Sequence, residues 1–105
     1  DMQSNGETAI KYYTERIDRD ALYLIDEPEN SLSATRQKEL AEYIHQSARF
    51  FGCQFVISTH SPFFLAMPGA KIYNLDLYPA RECNWTELEN VRAYYDFFME
   101  HESEF

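Results

Sequence analysis

Cationic side chains are scarce. Lys and Arg total 9 against 18 Asp and Glu, a formal net charge of -9. Neutralising a phosphate backbone takes Lys and Arg in excess, so this piece alone is excluded from broad nonspecific nucleic-acid binding. Any nucleic acid is expected to be held by other parts of a larger protein. No apolar run approaches the roughly 20 residues of a membrane span, so no membrane partner is expected. The first residues are polar and acidic and show no signal peptide. Two cysteines, Cys53 and Cys83, are too few for a disulfide scaffold. Cys53 opens an apolar run and reads as a reduced core thiol, which points to a cytoplasmic protein. Position 1 is Asp rather than Met, and the chain is expected to be a piece of a longer one.

What is present suffices for one modest core. The 105 residues are 45% hydrophobic and 16% aromatic, with eight Tyr and eight Phe. They are expected to form a single domain over residues 1–105. The stretch that organises the chain is Leu22-Tyr23-Leu24-Ile25-Asp26-Glu27-Pro28. An apolar run stopped by a breaker predicts a strand buried on both faces, hence a parallel sheet in an α/β domain. Asp26 and Glu27 then sit just beyond the strand's carboxyl end, where open α/β sheets bind ligands. Turn chemistry alone would also account for acids at such a place. A metal ion with a phosphate chain would give the two charges partners.

The remaining elements follow from periodicity and caps. Ser4 and Glu7 have capping-box spacing ahead of Ala9, Ile10, Tyr13 and Ile17, predicting a helix over 6–18. Leu40, Ala41, Ile44, Ala48 and Phe51 predict one face of a helix over 33–50, and Gly52 stands at its left-handed end. Cys53 to Ser58 is the next strand, so strand, helix and strand form a βαβ unit with parallel pairing. Thr59-His60-Ser61-Pro62 leaves that strand at its carboxyl end, and Phe63 to Leu65 form a short helical turn. Lys71 to Leu77 reads as a third strand, and residues 78–85 as irregular. Thr86 and Glu89 repeat the capping-box spacing before a last helix over about 87–101. Glu42 with His45, and Asp96 with Glu100 and His101, have near-helical spacing but no apolar enclosure, so neither is read as a metal site. Tyr94, Tyr95, Phe97 and Phe98 are read as core or interface rather than a base-stacking platform.

Taken in order, these motifs resemble the C-terminal half of an ABC-type P-loop ATPase domain, on the branch of RecF-like, OLD-like and SMC-like ATPases. Ser4-x-Gly6-Glu7 resembles the core of the signature motif. Leu22 to Glu27 resembles the Walker B strand, Ser31-Leu32-Ser33 the D-loop, and Ser58 to Pro62 the switch-histidine motif. The resemblance spans about residues 3–76. It implies a partial P-loop NTPase fold, α/β, with a mostly parallel sheet of about three strands flanked by helices. It implies ATP and Mg²⁺, with Asp26 at the metal, Glu27 orienting the attacking water and His60 contacting the terminal phosphate. It implies that Ser4, Gly6 and Glu7 contact nucleotide held by an opposite subunit, with Ser31 and Ser33 at the dimer interface. Ser31 and Ser33 also suit the capping of the following helix.

The chain departs from that family in one respect. Its glycines are Gly6, Gly52 and Gly69, and none begins or ends a G-x-x-x-x-G-K-[ST] phosphate loop. That loop, and the strand carrying it, are expected from a preceding segment or a separate polypeptide. Their lack leaves an open sheet edge and an uncovered apolar surface, so self-association is expected, as a head-to-tail or strand-exchanged dimer. Two other functions compete: a non-hydrolysing module for dimerisation and nucleotide docking, and a metal-dependent nuclease built on Asp26 and Glu27.

Overall fold

The computed structural model describes the backbone from residue 5 to 105 and the side chains from residue 9 onward. Ser4, the expected helix cap, lies outside the described residues. Contacts divide the chain into two compact units, one ending at Pro68 and the other spanning Gly69–Phe105.

The first unit is α/β. Helix α1 (Asn5–Arg16) leads into strand β1 (Leu22–Asp26), a 3₁₀ turn (Pro28–Ser31), helix α2 (Ala34–Phe50), strand β2 (Gln54–Ser58) and the short helix α3 (Pro62–Leu65). Strands β1 and β2 pair in parallel, Leu22 beside Gln54 through Asp26 beside Ser58. A parallel pair needs a crossover, and α2 provides it.

Local chemistry explains where α2 begins and ends. Ser33 is its N-cap, its hydroxyl accepting the Arg36 N–H at 3.3 Å. Leu40, Ala41, Ile44 and Ser47 form the buried stripe at helical spacing. Ser47 takes the place expected of Ala48 and Phe51, which are both exposed. Its hydroxyl is satisfied by donating to the Tyr43 carbonyl at 2.8 Å, so burial costs it no hydrogen bond. Phe51 N–H and Cys53 N–H both turn back to the Ser47 carbonyl, at 3.1 and 3.4 Å. Gly52 lies between them at φ 70, the left-handed conformation that glycine adopts without steric cost.

The core lies between the helices and one face of the sheet. Ile17, Leu32, Leu40, Ala41, Ile44, Cys53 and Phe64 are buried together, with Tyr23, Ile25, Phe55 and Ile57 packed against them. Tyr23 and Phe55, partners in register, stack with centroids 5.4 Å apart. The Cys53 thiol is buried and donates to the Asp18 carbonyl at 2.8 Å, a structural rather than reactive setting.

The opposite face of the sheet is open, which corrects the expectation of a strand buried on both faces. Leu22 is 57%, Leu24 76% and Val56 56% exposed. Side chains alternate along a strand, so the residues that point away from the helices meet no other layer among the described residues. Each strand also has one partner among the described residues, leaving both outer edges of this sheet unpaired.

The second unit holds the expected third strand, shortened and differently paired. Strand β3 (Ile72–Asn74) pairs antiparallel with β4 (Arg81–Cys83), in the stretch expected to be irregular. A 3₁₀ turn (Trp85–Glu87) precedes helix α4 (Glu89–Glu100). The reciprocal cap falls at Asn84, whose N–H reaches Glu87 Oε2 at 2.7 Å, rather than at Thr86 with Glu89. Val91 of α4 is buried, whereas Tyr94, Tyr95, Phe97 and Phe98 are each about half exposed.

Candidate active site

The parallel register decides what meets at the sheet's carboxyl edge. Asp26 ends β1 and Ser58 ends β2, side by side. The Ser58 hydroxyl donates to Asp26 Oδ1 across the pair. The ladder continues one step, because the Glu27 N–H donates to the Ser58 carbonyl at 2.7 Å. Asp26, Glu27 and His60 therefore leave one edge together, and all three are exposed.

Glu27 stands in an uncommon backbone conformation. Its φ and ψ are 46 and 58, left-handed, which costs a non-glycine residue about 1–2 kcal/mol. Such conformations persist where the surroundings impose them and cluster at functional sites. Here the bond to Ser58, the bond from the Asn30 N–H to the Glu27 carbonyl at 3.2 Å, and Pro28 after it hold the bend. The bend turns the chain off the strand axis directly after Asp26.

The loop carrying His60 is tied down from below. The Thr59 hydroxyl donates to Glu29 Oε1 at 2.6 Å, and the His60 N–H donates to Glu29 Oε2 at 2.9 Å. Ser61, buried, donates its N–H to Thr59 Oγ1 at 3.0 Å and its hydroxyl to Gln37 Oε1 on α2. The Gln37 amide then donates to the Leu32 carbonyl at 3.0 Å. Ser61 also caps α3, accepting the Phe63 N–H at 3.2 Å. Residues 59–61 are thus fixed by polar bonds to the segment following β1.

Tyr13 of α1 adjoins this network. Burial first, then Tyr12 and the charge of Glu29, push its phenol above the ordinary tyrosine value.

The residues singled out from sequence are distributed unequally. Asp26, Glu27 and His60 share the edge. Ser31 closes the 3₁₀ turn and Ser33 caps α2, so both lie just past Glu27 in the chain. Gly6 and Glu7 lie in the first turn of α1. Glu29, Thr59 and Gln37 were not recognised as site residues. Their bonds span 24 to 31 residues, beyond the reach of local periodicity.

The donor chemistry of the edge suits a hard cation. Asp26 and Glu27 offer carboxylate oxygens, and Mg²⁺ is commonly held by one or two carboxylates while keeping several waters. Among the described residues no group of three or more His, Cys, Asp and Glu is placed to hold a metal by itself. With two carboxylates as its protein ligands, such an ion would keep water among its other ligands.

A family model described as "AAA domain, putative AbiEii toxin, Type IV TA system" matches residues 3–66, more than half the chain. The chain belongs to this family. The matched stretch of this AAA domain includes both acids of the β1 end and His60 after β2. A solved structure described as "Structural biochemistry of ATP-driven dimerization and DNA stimulated activation of SMC ATPases" is similar in fold. The match has a TM-score of 0.56 at 18% identity and covers 95% of this chain and 62% of that one. This AAA domain therefore spans less than two thirds of the SMC ATPase chain that it matches. No curated protein matches significantly. The family is that of an AAA domain, and the fold is similar to that of an SMC ATPase chain. No helix among the described residues is long and apolar enough to cross a membrane.

Proposed function

We propose that this chain supplies the water-activating edge of an ATP-hydrolysing site, and that the phosphate-gripping loop comes from another segment. The observation that carries this reading is the parallel register, which sets Asp26, Glu27 and the Ser58–His60 loop on one sheet edge.

In this reading Asp26 holds Mg²⁺, which when bound neutralises charge on the phosphates. Its carboxylate is kept in place by the Ser58 hydroxyl. Glu27, turned off the strand by its left-handed backbone, orients the attacking water and accepts its proton. His60 donates a hydrogen bond to the terminal phosphate. Ser4, Gly6 and Glu7 contact nucleotide held by a second subunit in this reading, because free N–H groups and the dipole at a helix start favour phosphate. Ser31 and Ser33 lie at that dimer contact, Ser33 capping α2 as well. The SMC ATPase with the similar fold is described as dimerising under ATP, and a head-to-tail dimer of this chain's parent fits the same plan. The balance of 18 acids to 9 bases leaves nucleic-acid contact to other parts of that assembly. The free Cys53 and Cys83 support a cytoplasmic setting for this site.

Titration calorimetry with Mg-ATP tests the division of labour. The chain alone is expected to show no micromolar binding, because it contains no phosphate loop, whereas the complete ATPase binds. Micromolar binding by the chain alone contradicts the proposal. Binding without turnover by the complete protein favours the non-hydrolysing docking module instead.

A further inference from the structure

Glu29 is the side chain whose bonds the site description leaves without a purpose. It lies in the 3₁₀ turn two residues after Glu27, and it caps no helix. A short turn of this kind needs no carboxylate. Yet both oxygens are engaged, one by the Thr59 hydroxyl and one by the His60 main-chain N–H. The carboxylate is half-buried, and charge-assisted bonds of this sort are about twice as strong as neutral ones. Thr59 Oγ1 then accepts the Ser61 N–H, so one carboxylate governs three consecutive residues. The turn that carries Glu29 is the turn that begins at Glu27, whose carbonyl accepts the Asn30 N–H. Glu29 is thus a strut between the base of Glu27 and the base of His60.

We propose that Glu29 is a positioning residue that fixes the main chain of His60 relative to Glu27, so that the imidazole and the water-orienting carboxylate address one phosphate. This rests on the ATPase reading above. With its two oxygens engaged by the Thr59 hydroxyl and the His60 N–H, Glu29 acts through His60.

The test uses the complete ATPase with Glu29→Ala and Glu29→Gln, each also combined with His60→Ala. Glu29→Ala is expected to lower kcat by about 10- to 100-fold, the scale of a misplaced catalytic group. KM is expected to change by less than about threefold, because ground-state binding is untouched. Glu29→Gln is expected to recover most of the rate. Its amide oxygen accepts the His60 N–H and its amide nitrogen donates to Thr59 Oγ1. In the His60→Ala background Glu29→Ala is expected to add no further loss. Amide hydrogen exchange reads the strut without activity: the His60 amide exchanges faster in Glu29→Ala, while Val56 in the β1–β2 ladder keeps its protection. Normal kcat in Glu29→Ala, or the same loss with and without His60, overturns the proposal. A slow variant with unchanged His60 exchange refutes the strut alone. Absence of hydrolysis by the unmutated ATPase refutes the underlying reading and with it the role in turnover.

Discussion

Replacing Leu24 with threonine removes an apolar side chain that is 76% exposed, on the sheet face that no helix covers. Fully burying a leucine is worth about 1.5–3 kcal/mol. Only about a quarter of that is realised in this chain, and threonine keeps a strand-forming β-branch, so the cost here is expected within about 0.5 kcal/mol. The other three quarters, about 1–2 kcal/mol, becomes available when another layer closes over the face. Leu40 is the internal reference: it is 0% exposed, and Leu40→Ala is expected to cost about 2–5 kcal/mol. Urea unfolding of the chain, carried out for both variants, gives the first comparison. The same pair in the complete ATPase gives the second, where Leu24→Thr is expected to become the more costly by the withheld amount. If Leu24→Thr destabilises the chain alone as much as Leu40→Ala, the face is not open. If it costs the complete ATPase no more than the chain, the rest of the protein does not cover that face.

Three further substitutions probe the scaffold. Gly69→Ala, which meets nothing nearby, is expected to cost only its left-handed strain of about 1–2 kcal/mol in urea unfolding, whereas Gly52→Ala at φ 70 also presses a methyl group against the Asp20 carboxylate and is expected to cost more. Tyr13 holds its proton more tightly folded than unfolded, because burial, Tyr12 and Glu29 all raise its pKa. The stability gained from the neutral phenol is complete below the unfolded value of about 10 and is lost as pH rises through the higher folded value. Tyr13→Phe is therefore expected to flatten the fall in urea midpoint between pH 9 and about 11, and an unchanged alkaline slope contradicts the assignment.

The β1–α2–β2 unit was legible because its punctuation is strong. The apolar run stops at Pro28, Ser33 caps the helix, and Gly52 turns the chain into the second run. The same local signals could not say which side of β1 is covered. Leu22 and Leu24 are as apolar as Ile25, and a strand covered by another segment looks identical to one covered by its own chain. The pairing of β3 was equally hidden, since its partner β4 is the three residues Arg81–Cys83 with no alternating pattern. Before α4 two overlapping frames, Asn84 with Glu87 and Thr86 with Glu89, both satisfy capping-box spacing; the structure uses the first, to cap the 3₁₀ turn, and α4 itself starts after Leu88 without a side-chain cap. Asp26, Glu27 and His60 could be assigned to one sheet edge because each lies at a strand's last residue or within two residues of it. Glu29 was not, because its meaning lies in bonds to a loop 30 residues away, and its neighbours in sequence mark only a turn.

In the proposed reaction the acid following Asp26 activates water for ATP hydrolysis while the nucleotide is gripped elsewhere. Steady-state hydrolysis and equilibrium Mg-ATP binding by Glu27→Gln in the complete ATPase test it most directly. Glutamine keeps the side chain's size but cannot accept the proton of water, so turnover is expected to fall by at least about 100-fold with ATP affinity within about threefold of the parent. Hydrolysis at the parental rate by Glu27→Gln contradicts the account.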